Sequence, residues 1–293
     1  MSTEAPSGAA RAYSIGGLLM EVRGDVLCRE LDCMPGMAVF AAGVLPGPDV
    51  VVEASDAVAL RDGREVFVFD LHVGREQCRV LAGADGDVGY LFDSGSRMVC
   101  HGRQEARVEM CWRGDRAELR YMLWLAYAHG ALAHGALPVH ASTVVWRDRA
   151  VLCLGESGTG KSTHTRLWRE HIEGAWLLND DSPIVRVERD GVWAYGSPWS
   201  GKTPCFKPVR VPVAAMLRLR QAPSNSIVHL TPLLAFASLQ PSCPPTLMYD
   251  EHCTDLLVDF VGRVIERVPV YRLDCLPDAD AARLSHSTLF PQS

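Results

Sequence analysis

Two stretches of the chain carry the residue types and spacing of a phosphate-binding loop. GESGTGKS, residues 155–162, and GSPWSGKT, residues 196–203, both fit the pattern G-x-x-x-x-G-K-[ST]. Glycine lets successive backbone N–H groups turn toward an anion, and a helix that follows the loop adds the positive end of its dipole. Such a loop therefore needs a strand before it and a helix after it, and this requirement separates the two matches.

The first match has both neighbours. Residues 151–154 are an apolar run typical of a buried strand, and residues 162–173 contain neither Gly nor Pro, which favours a helix. The sequence therefore predicts that this stretch binds the phosphates of a nucleotide. The residues of the predicted loop are Gly155, Glu156, Ser157, Gly158, Thr159, Gly160, Lys161, Ser162 and Thr163.

The second match lacks a continuation that could form a helix. Pro198 lies inside it and Pro204 follows it, and Pro208 would clash with the preceding turn of any helix extending that far. We therefore expect no second nucleotide site at residues 196–203. Two interpretations of this turn stay open: Lys202 either delivers a cation to a phosphoryl group during its transfer, or is a solvated surface lysine.

An acidic pair follows the first loop after a short interval. The apolar, strand-like segment AWLLN, residues 175–179, leads directly into Asp180 and Asp181. Carboxylates at the end of a buried strand beside a phosphate loop can hold Mg²⁺ and position a nucleophile. One carboxylate would hold the metal, while its neighbour would accept the proton of an attacking hydroxyl. The alternative is an acidic turn that caps the strand.

A histidine precedes the first loop. His140 lies in LPVHASTVVW, residues 137–146, a segment typical of a strand that pairs with the loop strand AVLCLG, residues 150–155. Pairing of these two strands would bring His140 near the phosphate loop. The alternative is a hydrogen-bonded histidine of the core.

The composition argues against several classes of partner and site. A formal net charge of −6 and a pI near 5.9 argue against nucleic acid or an anionic membrane as the main partner. The first residues have no signal-peptide organisation and no apolar run is long enough to span a bilayer, so we expect a cytoplasmic protein. The ten cysteines are scattered, which favours buried free thiols over a zinc or redox site.

Two regions of different pattern divide the chain. Residues 1–114 contain short apolar runs separated by Gly, Pro and Asp, typical of antiparallel strands in a β-rich N-terminal subdomain. Residues 115–293 begin with a predicted helix at about 115–134 and then alternate helix-like and strand-like segments. We therefore predict an α/β fold whose second region carries the phosphate loop.

Taken in order, these motifs resemble those of a known family. His140, then GESGTGKST, then LLNDD is similar to the core of HPr kinase/phosphorylase, whose phosphate loop also resembles that of phosphoenolpyruvate carboxykinase. The short gap between the loop and the acidic pair is the most telling feature. GSPWSGKTPC and RLRQAP are further similar to a group of unassigned HPr-kinase-like kinases that includes kinases of lasso-peptide precursors. The resemblance covers roughly residues 116 to 285.

The resemblance implies a fold of the HPr-kinase and PEP-carboxykinase type and an ATP-dependent kinase activity. By this resemblance, ATP would place its phosphates on the predicted loop and on Lys161. Mg²⁺ would be held by Ser162 together with one of the acidic pair. One of Asp180 and Asp181 would act as the base, with His140 nearby.

The expected reaction moves the γ-phosphoryl group of ATP to a hydroxyl of a peptide, protein or small molecule, a serine hydroxyl among the candidates. We find no counterpart of the segment by which the true HPr kinase recognises its protein substrate, so HPr is not the favoured acceptor. Two other functions stay open: a nucleotide-sensing regulator with little turnover, and a carboxykinase-type lyase, for which the chain is short. The sequence leaves the oligomeric state open, a homo-oligomer included.

Overall fold

The chain forms two units that interrupt each other in sequence. In the computed structural model, which describes residues 8–43, 46–71, 77–102 and 106–291, the first unit contains Met1–His134 and Thr246–Asp255. The second unit contains Gly135–Pro245 and Leu256–Ser293. The fold is mixed α/β, and each unit is built on a large sheet with both parallel and antiparallel pairs.

The first unit contains one mixed sheet. Its strands, within the described residues, are β1 (Ala10–Ile15), β2 (Leu18–Arg23), β3 (Ala41–Ala42), β4 (Val50–Ala54), β5 (Arg64–Asp70), β6 (Gln77–Ala82), β7 (Val88–Phe92), β8 (Arg97–Cys100) and β9 (Arg107–Cys111). They lie in the order β3-β1-β2-β4-β9-β8-β7-β6-β5. Its helices are α1 (Asp25–Asp32), α2 (Pro35–Ala38) and α3 (Arg116–Leu132).

The inner strand β4 departs from the antiparallel arrangement that the sequence predicts. It runs parallel to both of its neighbours, β2 and β9, while the other pairs of this sheet are antiparallel within the described residues. Parallel strands need a long crossover connection. Helices α1 and α2 lie in the connection from β2 to β4, and strands β5 to β8 lie in the connection from β4 to β9. The expectation of purely antiparallel strands was wrong here because it considered neighbours in sequence only.

Helix α3 has the capped start that its sequence predicts. The Asp115 side chain accepts a hydrogen bond from the Glu118 backbone N–H at 2.8 Å. The Tyr127 hydroxyl donates to the Ile15 carbonyl at 3.0 Å, and a Cβ on Gly130 would lie 2.8 Å from Val50 side-chain carbons. Because of these contacts α3 belongs to the first unit, whereas the sequence pattern placed it at the start of the second region.

The second unit carries the predicted loop. Its strands, within the described residues, are β10 (Ala136–Pro138), β11 (Ala141–Trp146), β12 (Arg149–Leu154), β13 (Trp176–Asn179), β14 (Ile184–Val187), β15 (Val192–Tyr195), β16 (Arg210–Gln221), β17 (Ser226–His229) and β18 (Val270–Cys275). Its helices are α4 (Lys161–His171), α5 (Pro232–Leu239) and α7 (Ala279–Leu289), and α6 (Glu251–Ile265) spans the boundary between the units.

The second sheet gathers strand ends at one edge. Its order is β10-β14-β15-β16-β12-β11-β13, with β18 beside β16 and β17 beside β18. Strands β12, β16 and β18 are parallel, and β11 is antiparallel to both β12 and β13. Strand β13 therefore runs in the direction of β12, and the carboxyl ends of all four like-directed strands lie at one edge. Ligands of α/β sheets bind at such an edge.

A buried apolar layer fixes α4 against this sheet. Trp168 and Leu167 of α4 pack with Val151 and Cys153 of the loop strand and with Leu273 of β18.

All ten cysteines are free, as predicted, and eight of them are buried. Among the described residues, no helix combines the length and the apolar character needed to cross a bilayer.

His129 of α3 is partly buried in the first unit. Its Nε2 lies 2.6 Å from the Tyr90 hydroxyl, and its Nδ1 lies 3.8 Å from the Cys253 sulfur. Burial lowers the pKa of His129 to about 4, an effect that the nearby Asp250 only partly opposes. The folded first unit therefore favours the neutral imidazole.

We expect His129 to make stability depend on pH between its ordinary pKa of 6.5 and about 4. Its stabilising contribution is complete above pH 6.5 and is lost as the pH falls toward 4, because only the unfolded chain then takes up the proton. The loss amounts to roughly 3 kcal/mol at most. The measurement is urea unfolding at several pH values of Tyr90→Phe and of the double variant Tyr90→Phe/His129→Leu, which share the loss of one hydrogen bond. The double variant should show the shallower pH slope; equal slopes would contradict the assignment.

Candidate nucleotide-binding site

The first motif forms a strand, a loop and a helix, as predicted. The loop follows β12, and α4 begins at Lys161. Gly158 and Gly160 have φ values of 83° and 103°, a conformation that L side chains rarely adopt. A Cβ on either residue would meet nothing within 4 Å. The loop thus has the glycine conformations and the open inner space that nucleotide phosphates require.

Lys161 is buried and folds back over this loop. Its Nζ donates to the Gly155 carbonyl at 2.7 Å and to the Glu156 carbonyl at 3.2 Å, and lies 2.9 Å from His140 Nε2. Burial lowers the pKa of the Lys161 ammonium, whereas Asp181 and Glu156 act in the opposite direction. An ammonium group is only a donor, so His140 Nε2 acts as the acceptor.

His140 connects the loop lysine to the acidic pair. With Nε2 accepting from Lys161, its proton is assigned to Nδ1, which lies 3.3 Å from Asp181 Oδ1. The sequence placed His140 inside one long strand, which was wrong: it lies in a break between β10, which pairs with β14, and β11, which pairs with β12. Its backbone N–H donates to the Ser242 carbonyl at 2.7 Å instead of to a strand. The predicted proximity to the loop is present.

Asp180 follows β13 directly and is 5% exposed. Its Oδ1 accepts from the Ser142 hydroxyl at 2.9 Å, and its Oδ2 accepts from the Thr203 backbone N–H at 3.3 Å. Ser142 Oγ also lies 2.8 Å from Thr165 Oγ1, which donates to the Ser162 carbonyl. Asp180 is therefore linked through two hydroxyls to the first turn of α4.

Asn179 was missed by sequence reasoning. It is fully buried, and its Oδ1 accepts from the backbone N–H groups of Asp181 and Ser182, each at 2.9 Å. Its Nδ2 donates to Ser197 Oγ at 3.1 Å and to the Trp199 carbonyl at 3.2 Å. Asn179 thus fixes the acidic pair to the second glycine-rich segment. An Asn that follows an apolar strand and begins a turn is the signal that could have found it.

The second motif has no following helix, as predicted. After β15 the chain forms no helix before α5, throughout a stretch that the structure describes completely. A Cβ on Gly196 would lie 1.9 Å from the Lys207 carbonyl oxygen, so glycine serves a close backbone approach there. A Cβ on Gly201 would lie 3.2 Å from both the Asp180 carbonyl and Asp181 Cβ. The segment therefore lies against the acidic pair, and the Lys202 side chain on it is exposed.

The residues around the loop offer donors suited to Mg²⁺ with a nucleotide. Ser162 is exposed on the first turn of α4, and the Asp181 side chain is 35% exposed. Among the described residues, no group of three or more His, Cys, Asp or Glu side chains could hold a metal by itself. Mg²⁺ usually takes one or two carboxylates together with substrate phosphates and waters. A hydroxyl and the acidic pair fit such a shared site.

Comparison with known proteins finds similarity among solved structures. No protein-family model and no curated protein matches it. Among solved structures, the HPr(Ser) kinase/phosphatase from Coxiella burnetii is similar, with 14% identity and a TM-score of 0.30. The alignment covers 51% of this chain and 91% of that chain. A likeness at this level is weak, so the site has to carry the functional argument.

We expect Asn179→Ala to destabilise the second unit by roughly 3 kcal/mol, because it leaves buried hydrogen-bonding groups such as Ser182 N–H without partners. Asn225→Ala is the matched control. Asn225 also makes side-chain hydrogen bonds, to Asp278 and to Leu276 N–H, but it is only half-buried. Urea unfolding should show a cost of about 1 kcal/mol for the control. Similar costs for both variants would mean that Asn179 does not hold the segment as described.

Proposed function

We propose that this chain is an ATP-dependent phosphotransferase of the HPr-kinase-like class that moves the γ-phosphoryl group to a hydroxyl acceptor. The observation that carries the proposal is the continuous contact from Lys161 through His140 to Asp181. It joins a phosphate-type loop to a carboxylate, the two parts that phosphoryl transfer to a hydroxyl requires. A peptide, a protein or a small molecule can supply that hydroxyl, and a cytoplasmic location goes with the proposal.

In this proposal the loop and its lysine hold the donor nucleotide. Backbone N–H groups of residues 155–163 bind the β- and γ-phosphates of ATP, and Lys161 adds a positive charge next to them. The buried position of Lys161 supports this role because a charge acts more strongly where water is excluded. Its contacts with loop carbonyls hold the ammonium group close to the phosphates without a large movement.

The two aspartates take different roles in the proposal. Asp181 is partly exposed and faces His140, which supports it as the group that accepts the proton of the acceptor hydroxyl. Asp180 is buried with both oxygens hydrogen-bonded, which supports a fixed role in holding Mg²⁺ together with Ser162. When bound, Mg²⁺ neutralises charge on the phosphate oxygens.

The proposed transfer moves the γ-phosphoryl group of ATP to the acceptor oxygen. The acceptor oxygen forms a bond to the γ-phosphorus while the bond from that phosphorus to the β–γ bridging oxygen breaks, and ADP leaves. The proton of the acceptor passes to Asp181. Lys202, on the segment that lies against the acidic pair, meets the charge that develops during the transfer.

Incubation of the full chain with γ-labelled ATP and candidate acceptors tests the proposal. Transfer of label to a hydroxyl of the acceptor supports it. Tight ATP binding without transfer to any acceptor would favour the nucleotide-sensing regulator instead. Consumption of oxaloacetate would favour the carboxykinase-type lyase.

The two motif lysines should differ in their effects. Lys161→Ala should weaken ATP binding and abolish transfer, whereas Lys202→Ala should lower kcat by about a hundred- to thousandfold with little change in ATP affinity. Nucleotide titrations and initial rates on both variants measure this. Arg263→Ala, which removes an exposed cation paired with Asp259, is the control for lost surface charge. Unchanged rates in Lys202→Ala would make it a solvated surface lysine.

The acidic pair should also separate in its metal dependence. Asp180→Asn should lower turnover and raise the Mg²⁺ concentration needed for half-maximal rate, while Asp181→Asn should lower turnover without that shift. Initial rates across a Mg²⁺ titration give both quantities. Asp190→Asn, at an exposed position after β14, should leave them unchanged. Normal rates for both site variants at limiting Mg²⁺ would make the pair a structural turn.

A further inference from the structure

A cleft of about 670 Å³ lies beside the phosphate loop. Its walls include residues 157–159 of the loop, Arg218, Arg220 and Gln221 near the end of β16, and Arg272 of β18. Strands β16 and β18 lie on one side of the loop strand, whereas β11 and β13, which lead to His140 and the acidic pair, lie on the other. The cleft therefore adjoins the loop on the side away from the proposed transfer centre.

The cleft has a surplus of positive charge. Arg220 makes a two-point contact with Asp274 at 2.6 and 2.7 Å, and Arg272 Nε lies 3.4 Å from the same carboxylate. Arg218 pairs at 2.8 Å with Glu156, whose side chain is 70% exposed. Three guanidinium groups thus share two carboxylates. Arg272 Nε is buried and makes no hydrogen bond within the described part of the chain.

The phosphate loop itself forms part of the cleft wall and contacts side chains of β16. Gln221 Nε2 donates to the Gly158 carbonyl at 3.2 Å, and both side chains that reach the loop, Gln221 and Arg218, come from β16. The Arg218 pair with an exposed glutamate is weakly held, because exposed ion pairs contribute little. The Gln221 amide and the Arg218 guanidinium can therefore give up these contacts and bind a ligand at a small cost in free energy.

The direction in which a bound nucleotide extends follows from the position of the proposed transfer centre on one side of the loop and of the cleft on the other. If the γ-phosphate lies near Lys161 and the acidic pair, the rest of the molecule must extend away from them. The cleft lies at the carboxyl edge of parallel strands β12, β16 and β18, where α/β sheets bind ligands, and its volume falls in the range of about 300–1,000 Å³ typical of ligand pockets.

We propose that this cleft binds the adenosine 5′-phosphate part of ATP, its α-phosphate, ribose and base. This inference rests on the proposed function and adds to it the subsite for the nucleoside end. Arg272 and Arg220 carry the surplus charge that suits the α-phosphate. The planar guanidinium of Arg218 stacks on the base, and the Gln221 amide bonds to a polar edge of the base or ribose.

ATP titrations of the full chain by calorimetry test the subsite. Arg218→Ala and Gln221→Ala should each raise the Kd for ATP, with a combined change of about tenfold, the size expected when hydrogen bonds to charged groups are lost. Arg283→Ala is the matched control because Arg283 is an exposed, ion-paired arginine of α7 that does not line the cleft. Gln221 is exposed, so its replacement leaves the core untouched.

Photolabelling with 8-azido-ATP, followed by peptide mapping, gives an independent readout. Label is expected on peptides that contain residues 157–159, 218–221 or 272. Label elsewhere, or unchanged ATP affinity in the cleft variants with a raised acceptor KM, would overturn the subsite and leave the proposed function intact. Normal ATP binding by Lys161→Ala, or no ATP binding by the unaltered chain, would instead overturn the proposed function and the subsite with it.

Discussion

The direction of β11 is the constraint on which the candidate site depends. This strand lies between β12 and β13 and is antiparallel to both, so its first residues lie at the edge where those two strands end. His140 directly precedes β11, the phosphate loop directly follows β12, and the acidic pair directly follows β13. Three segments separated in sequence therefore meet at one edge, and the hydrogen-bond ladder of the sheet fixes their spacing.

The second glycine-rich match has a packing explanation. Its continuation covers the outer edge of β13, where Lys207 Nζ donates to the Leu177 carbonyl at 2.5 Å and the Cys205 thiol donates to the Leu178 carbonyl at 3.3 Å. Lys207 also lies 4.5 Å from the centre of the Trp176 ring. An uncovered strand edge is a template for unwanted pairing. The motif thus places one segment both over an edge strand and against the acidic pair.

Features that depend on residues close in sequence were predicted well, whereas features that depend on long-range pairing were not. The loop, its flanking strand and helix, the acidic pair after a strand and the capped α3 all follow from residues close in sequence. The parallel pairing of β4, the break at His140 and the two bonds that Asn179 Nδ2 donates to Ser197 and Trp199 depend on partners far along the chain. The segment RLRQAP, residues 218–223, contributed to the resemblance but received no role, because only the pairing of β16 with β12 and β18 brings its arginines beside the loop.

The interlaced course of the chain has a consequence for synthesis. Residues 246–255 belong to the first unit. There the ring of Tyr249 stacks on that of Phe67 with the ring centres 4.6 Å apart, and Cys253 lies beside His129. A ribosome that has finished residue 134 has therefore not yet supplied every piece of the first unit. Domains usually complete their folding in order from the N-terminus as they emerge. Here the first unit cannot complete its folding until most of the second unit has been synthesised. Because each unit is made of two separate segments, neither can be excised by a single cut.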